Sequence, residues 1–301
     1  MSAIIYALSA NAGIAASKAA AAVYTGSSAM LAEAVHSAAD CANQLLLLLG
    51  LKQAKAPPSP QHPLGYGKAT YFWSFMVAVM LFSLGGAFSI YEGVHKLAQP
   101  EPLAHPWVAV VVLAAGVLLE AWSLRGCIHE IREKAGDMPL WRYFRESRES
   151  ELIVIMGEDI AALAGLVIAL AAILLTMATG NPFFDALGSI AVGALLVVVA
   201  IGVGGQVKSL LVGESAAPER EQALAAWLAA RPEIGEVYSL ITYQMGSYII
   251  VAVKARMSEA ESAKRLIDSI NVVQDDLKSA FPEIRWVFFE PDDKRDATSV
   301  G

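Results

Sequence analysis

His36 and Asp40 are the residues of this chain whose types and spacing point most directly to chemistry. On a helix of about 3.6 residues per turn, four residues return to the same face, one turn along. An imidazole and a carboxylate stacked that way can hold one cation between them. Mixed nitrogen and oxygen donors suit a borderline ion such as zinc, whereas calcium and magnesium take oxygen ligands alone. Asn43, three residues beyond Asp40, can add an oxygen, and Glu33, three before His36, is either a further donor or a structural contact.

A second acidic position supplies the complementary half. Glu158 and Asp159 are adjacent and are followed by an unbroken apolar stretch from Ile160 to Met177. Neighbouring side chains on a helix diverge by about 100°. Only one of the two is therefore expected to face the His36 and Asp40 pair, while the other takes a proton, meets Lys18 or lies nearer the cytoplasmic interface. A tetrahedral site built from two helices needs His36, Asp40, one of these carboxylates and a fourth ligand that spacing does not identify.

The elements that must position these groups are membrane helices. Of 301 residues, 56% are apolar, and the mean hydropathy is positive. Apolar runs of the length needed to cross a bilayer, about 20 residues, recur along the chain. Six spans are predicted: Ala3 to Tyr24, Ser28 to Leu51, Tyr71 to Val94, Trp107 to Ile128, Leu152 to Ala178 and Phe183 to Gly204. The first is rich in alanine and reads as a retained helix, not a signal peptide, since no basic segment precedes it. An ionisable group inside such a span costs about 2.5 to 3.5 kcal/mol on the mildest scale, so each one calls for a reason. For Glu92, Glu120 and Asp185 the expected reason is structural, by snorkelling or by pairing with Lys18.

Orientation follows from Lys and Arg in the loops, which accumulate on the cytoplasmic side. Lys52, Lys55 and Lys68 flank the second-to-third connection, and Arg125, Arg132, Lys134, Arg142, Arg145 and Arg148 crowd the fourth-to-fifth, while the opposite loops offer only Lys96. Both termini are thus expected to be cytoplasmic. Cys41 and Cys127 lie in or beside spans with no CxxC spacing, which supports neither a disulfide framework nor a thiolate zinc cluster.

From about Glu214 the hydrophobic runs shorten and a soluble domain is predicted. Glu219 to Ala230 reads as a helix, Gly235 to Gln244 and Tyr248 to Met257 as strands around a Met-Gly-Ser turn, Ala260 to Ala280 as a helix and Ile284 to Glu290 as a strand. The order αββαβ suits a ferredoxin-like unit with helices on one face of a three-stranded sheet, whose open face invites pairing with a second copy. The expected organisation is a six-helix transmembrane domain over 1–212, a cytoplasmic ferredoxin-like dimerisation domain over 213–292 and a flexible tail over 293–301. The net charge of −7 falls largely on this last third.

The stretch TGSSAMLAEAVHSAAD, which contains His36 and Asp40, resembles the second-helix HxxxD motif of the cation diffusion facilitator family of divalent-metal transporters. HPLGYGKATYFW is similar to that family's loop into the third helix, and LLVGESAAPE to its exit from helix six. GEDIAALAGL, with Glu158 and Asp159, is similar to the zinc transporter nine-like branch. The likeness covers nearly the whole chain. It implies a homodimer, a metal site between helices two and five, export of metal from the cytosol in exchange for protons, and a metallochaperone-like tail. The family pattern also has a second HxxxD on helix five, but here Ala162 stands four residues after Glu158 and Leu163 four after Asp159. Counting back from DALGSIAVG favours Asp159 as the family ligand position, with Glu158 beside it. All five histidines precede the tail, so dimerisation is its expected role, without a His-rich zinc sensor.

The resulting expectation is a proton-coupled carrier of a divalent metal, zinc first, with manganese, cobalt, iron or cadmium as other substrates, working by alternating access in a bacterial inner membrane. Its partners are metal ions, protons, the lipid bilayer and a second copy, with no nucleic acid and no organic cofactor. The alternative is a non-transporting scaffold assembled through its tail, with buried polar groups that only join helices. No HExxH helix and no nucleophile beside a base is evident, so an enzyme is not expected.

Overall fold

The computed structural model describes residues 2–100, 103, 105–136, 138–258 and 262–294, with side chains from residue 12 onward except 134 and 135. The expected flexible tail lies outside the described residues from 295, as do Ala260 and Glu261 of the helix expected over Ala260 to Ala280. The described chain divides into two compact units. One is drawn from Met1–Leu51, Tyr71–Phe144 and Ser150–Lys208, the other from Lys52–Thr70, Arg145–Glu149 and Ser209–Gly301. Two loops expected within the membrane domain thus pack with the second unit.

The first unit is helical. It holds α1 (Ser2–Thr25), α2 (Ser28–Ala54), α3 (Ala69–Met80), α4 (Phe88–Ala98), α5 (Pro106–Ala135), α6 (Leu140–Glu146), α7 (Ser150–Thr179) and α8 (Phe183–Val212). A π-helical stretch, Leu81–Ala87, joins α3 and α4 into one rod, a local widening of the kind often found at functional sites. Among the described residues, five helices are long and apolar enough to cross a membrane: α2, the α3–α4 rod, α5, α7 and α8. The sixth long helix, α1, lies against α5.

The interior of this unit is built from small side chains, among them Ala21, Ala29, Ala109, Ala161, Ala169 and Ala200, filled in by Leu113, Leu166, Ile173 and Leu196. Small residues let helix backbones approach closely where hydrophobic burial gives little drive. On α8, a Cβ at Gly188 would collide with Ala172 of α7, and one at Gly193 would stand 2.7 Å from the Gly86 carbonyl oxygen.

The α1–α2 turn is tightly specified. Gly26 takes φ +67°, the left-handed cap that ends α1, and Lys96 Nζ donates to its carbonyl at 2.7 Å. Ser27 Oγ accepts the Met30 N–H at 3.1 Å, capping α2. Asp185 closes the turn, accepting from Ser27 Oγ and from the Ser28 N–H and hydroxyl. Asp185 is therefore structural.

The second unit contains α9 (Pro218–Ala229), β1 (Ile234–Met245), β2 (Tyr248–Met257), α10 (Ala263–Ala280) and β3 (Ile284–Pro291), with Ser262 Oγ capping α10. The sheet order is β1-β2-β3, antiparallel and then parallel. Alternate residues of β2, Ile249, Val251, Val253 and Ala255, pack with Leu224 and Leu228 of α9 and Val273 and Leu277 of α10. The two-residue turn at Gly246 and Ser247 has φ +64° at Gly246, as tight hairpins need. On the other sheet face Ile241 and Phe288 are 62% and 54% exposed.

One end of that face meets the Lys52–Thr70 segment. Tyr248 Oη donates to the Leu64 carbonyl at 2.6 Å, and Lys68 Nζ donates to that of Leu211 at 2.9 Å. Gly67 lies directly on the hairpin, where a Cβ would collide with the Met245 carbonyl oxygen and come within 2.9 Å of the Tyr248 ring. Gly67→Ala is expected to destabilise this unit by about 1–3 kcal/mol, the usual cost of overpacking. The check is a lowered denaturation midpoint in the purified chain, read from Trp286 and Trp227 fluorescence. An unchanged midpoint would mean that the loop is only loosely seated.

Candidate metal centre

His36 and Asp40 share one face of α2, with His36 Nδ1 3.6 Å from Asp40 Oδ1. His36 is fully buried. Among the described residues neither of its ring nitrogens has a hydrogen-bond partner, and Asp40 Oδ1 has none either. Unsatisfied buried polar atoms are rare and ask for an explanation, an absent ion being one. Two donors about 2.0–2.1 Å from a tetrahedral zinc lie about 3.3 Å apart, near the observed separation.

Asp40 opens onto a cavity of about 440 Å³ between α2, α5 and α7. Its walls carry Asp40 and Gln44 from α2, Glu120, Ser123 and Glu130 from α5, and Glu151, Glu158, Asp159 and Ala162 from α7. The fifth-span carboxylates diverge as helix geometry requires, yet both line this cavity, because each turns to a different neighbour. Glu158 Oε1 accepts from Asn43 Nδ2 of α2. Asp159 Oδ2 accepts from Ser123 Oγ of α5 at 3.4 Å.

Glu33 stands apart from the cavity. Its Oε2 meets Lys18 Nζ at 3.4 Å, and its Oε1 lies against Gly165 of α7, where a Cβ would come within 2.7 Å. Lys18 also donates to Ser37 Oγ at 2.7 Å. Both members of the pair are buried, so Lys18 is engaged by α2, and not by Glu92, Glu120 or a fifth-span carboxylate, the partners left open in the sequence. The α1–α2 hairpin explains this. Lys18 stands eight residues before Gly26 and Glu33 seven after it, which puts the two at equal depth.

The structure therefore brings together His36 with Asp40, and Asn43 with Glu158, and of these Asp40 and Glu158 line one cavity with Asp159, while His36 and Asn43 lie behind its wall. Among the described residues no three His, Cys, Asp or Glu side chains converge closely enough to close on one ion. Sequence reasoning set Glu120 aside. Its only signal was a lone carboxylate in the fourth span, and the α5–α7 pairing that turns it inward cannot be read from spacing.

A family profile for the cation efflux transmembrane domain matches residues 4–212. The chain belongs to the cation efflux family. Within it, this cation efflux protein falls in the zinc transporter nine-like branch, and it is an integral membrane protein. It is 34% identical over 268 residues to the proton-coupled zinc antiporter SLC30A9, mitochondrial, of Xenopus laevis, covering 88% of this chain and 47% of the relative. It is 37% identical over 193 residues to metal tolerance protein C4 of Arabidopsis thaliana, covering 64% and 42%. Similarity to the cation-efflux pump FieF of Cronobacter sakazakii is 25% over 239 residues, covering 78% and 74%. The chain thus spans less than half the length of the frog and Arabidopsis relatives.

Proposed function

We propose that this chain is a secondary carrier that exports a divalent transition-metal cation, zinc first, from the cytosol in exchange for protons. The observation that carries the reading is the buried His36, with both ring nitrogens unpartnered among the described residues, beside an Asp40 that opens onto a carboxylate-lined cavity in a membrane bundle. The name of the Xenopus relative, a proton-coupled zinc antiporter, points the same way. His36, Asp40 and the Glu158 and Asp159 pair are the proposed ligands, with Asn43 holding Glu158 in place and Glu33 serving the ion pair with Lys18. Imidazole and carboxylate must be deprotonated to bind metal, so protonation expels the ion and proton exchange follows from the ligand set. A nitrogen donor favours zinc over manganese, which an all-oxygen site suits better.

Alternating access moves the cavity from one membrane face to the other, and both termini lie on the cytoplasmic side by the distribution of Lys and Arg. A bacterial inner membrane is the proposed location, the word mitochondrial belonging to the names of animal relatives. The soluble unit is proposed to join two copies through the open sheet face that carries Ile241 and Phe288. The test is zinc uptake into sealed proteoliposomes with an imposed pH gradient. Uptake that rises with the gradient and collapses with a protonophore is expected. No flux of any divalent metal from well-folded protein would replace the carrier with the scaffold.

A further inference from the structure

The helix α5 runs for 30 residues, Pro106–Ala135, where a bilayer core needs about 20. Counted from Trp107, that length ends near Gly126, so the last turns of α5 emerge into the headgroup layer. A groove of about 610 Å³ lies along them, lined by Trp122, Arg125, Gly126, Ile128, His129 and Arg132. Spacings of three and four residues gather these side chains on one helix face. Trp122 is 82% exposed, at the depth where an indole ring settles between acyl chains and headgroups. A Cβ at Gly126 would project into open space, so bare backbone forms the groove floor.

Two arginines set the charge of this groove. Arg132 Nη1 donates to the carbonyls of Gly136 and Met138 at 3.5 and 3.4 Å, which holds it at the rim. Arg125 has no hydrogen-bond or ion-pair partner among the described residues. His129 Nε2 lies 3.4 Å from Glu133 Oε1, so any charge on the imidazole is balanced there and the guanidinium groups are left in excess. Glu130 lines the α2–α5–α7 cavity instead, on another side of the helix. Guanidinium groups pair with phosphate through two parallel hydrogen bonds. We propose that this groove binds an anionic phospholipid, with Arg125 and Arg132 reaching toward its phosphodiester and Trp122 and Ile128 lying against its acyl chains. A zwitterionic lipid brings an ammonium beside the arginines, so anionic headgroups are selected. The site is independent of the carrier reading, and it ties the end of a helix that walls the metal cavity to membrane composition.

The experiment is native mass spectrometry of the purified full chain, titrated with phosphatidylglycerol or with phosphatidylcholine of the same acyl chains. Thermal unfolding in the same detergent, with and without lipid, is the second readout. Native protein is expected to retain phosphatidylglycerol preferentially and to gain more thermal stability from it. Arg125→Gln and Arg132→Gln should each weaken that retention by about fivefold, the effect typical of one basic residue near an anionic surface. The double variant should lose the preference while keeping the native lipid-free midpoint. Lys52→Gln with Lys55→Gln removes two exposed lysines elsewhere and should leave retention unchanged. An equal loss in that lysine pair would overturn the site in favour of diffuse attraction. A folded arginine double variant that still preferred phosphatidylglycerol would overturn it too, as would equal retention of both lipids by native protein. Displacement of the lipid by inorganic phosphate would replace it with a free-anion site.

Discussion

Asp40→Asn is expected to abolish gradient-driven zinc uptake and to weaken zinc binding by more than about 100-fold, beyond the range typical of outer-shell partners. The substitution keeps the shape of the side chain and removes its charge, so the packing of α2 should survive. The expectation rests on geometry: Asp40 Oδ1 lies 3.6 Å from His36 Nδ1, too far for a hydrogen bond and close to the spacing of two donors on one ion. Calorimetry in detergent and initial uptake rates in proteoliposomes are the two readouts. Glu158→Gln and Asp159→Asn measured beside it rank the fifth-span carboxylates, because the first faces Asn43 and the second Ser123. Native zinc affinity in Asp40→Asn would remove α2 from the site.

The second large effect is on stability. Lys18→Met strands Glu33, whose side chain is wholly buried beside Gly165. Breaking a buried pair by removing one partner typically costs about 3–5 kcal/mol, because the remaining charge has no water and no counter-ion. Replacing both members leaves no such charge, so Lys18→Met with Glu33→Gln should recover most of the loss. Denaturant titration of the purified chain in detergent measures both. A single variant as stable as the native chain, or a double variant no better than the single, would show that the pair is not what holds α1 to α2.

These two predictions differ in how far the sequence alone leads to them. The His36–Asp40 face is legible because four-residue spacing is local and a helix fixes it. Depth in the membrane is legible too, since it follows from apolar runs. What spacing could not give is which helices are neighbours. Lys18 had several carboxylates within plausible reach, and only the α1–α2 turn at Gly26 selects Glu33. Glu120 looked like a snorkelling residue until the packing of α5 on α7 turned it toward the cavity.

The second unit shows the same limit. Its αββαβ order and the turn at Gly246 follow from local patterning, because strand alternation and a left-handed glycine are short-range signals. The seating of Gly67 on the hairpin joins residues far apart in the chain, and no local pattern carries it. The π-helical stretch Leu81–Ala87 likewise carries a contact between residues far apart in the chain, the close approach of Gly86 to Gly193 and Val197 of α8.

The Lys18–Glu33 pair also bears on how the chain enters its membrane. Taken alone, α1 presents an unpaired ammonium to lipid, which a translocating machinery meets at a cost of about 2.5–3.5 kcal/mol near the bilayer centre. With the next helix it presents a neutral pair, joined through a tight glycine turn whose serine cap is already in place. Biogenesis is therefore favoured when the first two helices partition as a hairpin. The helix that carries His36 and Asp40 is then delivered already registered against its neighbour before the rest of the bundle has been synthesised.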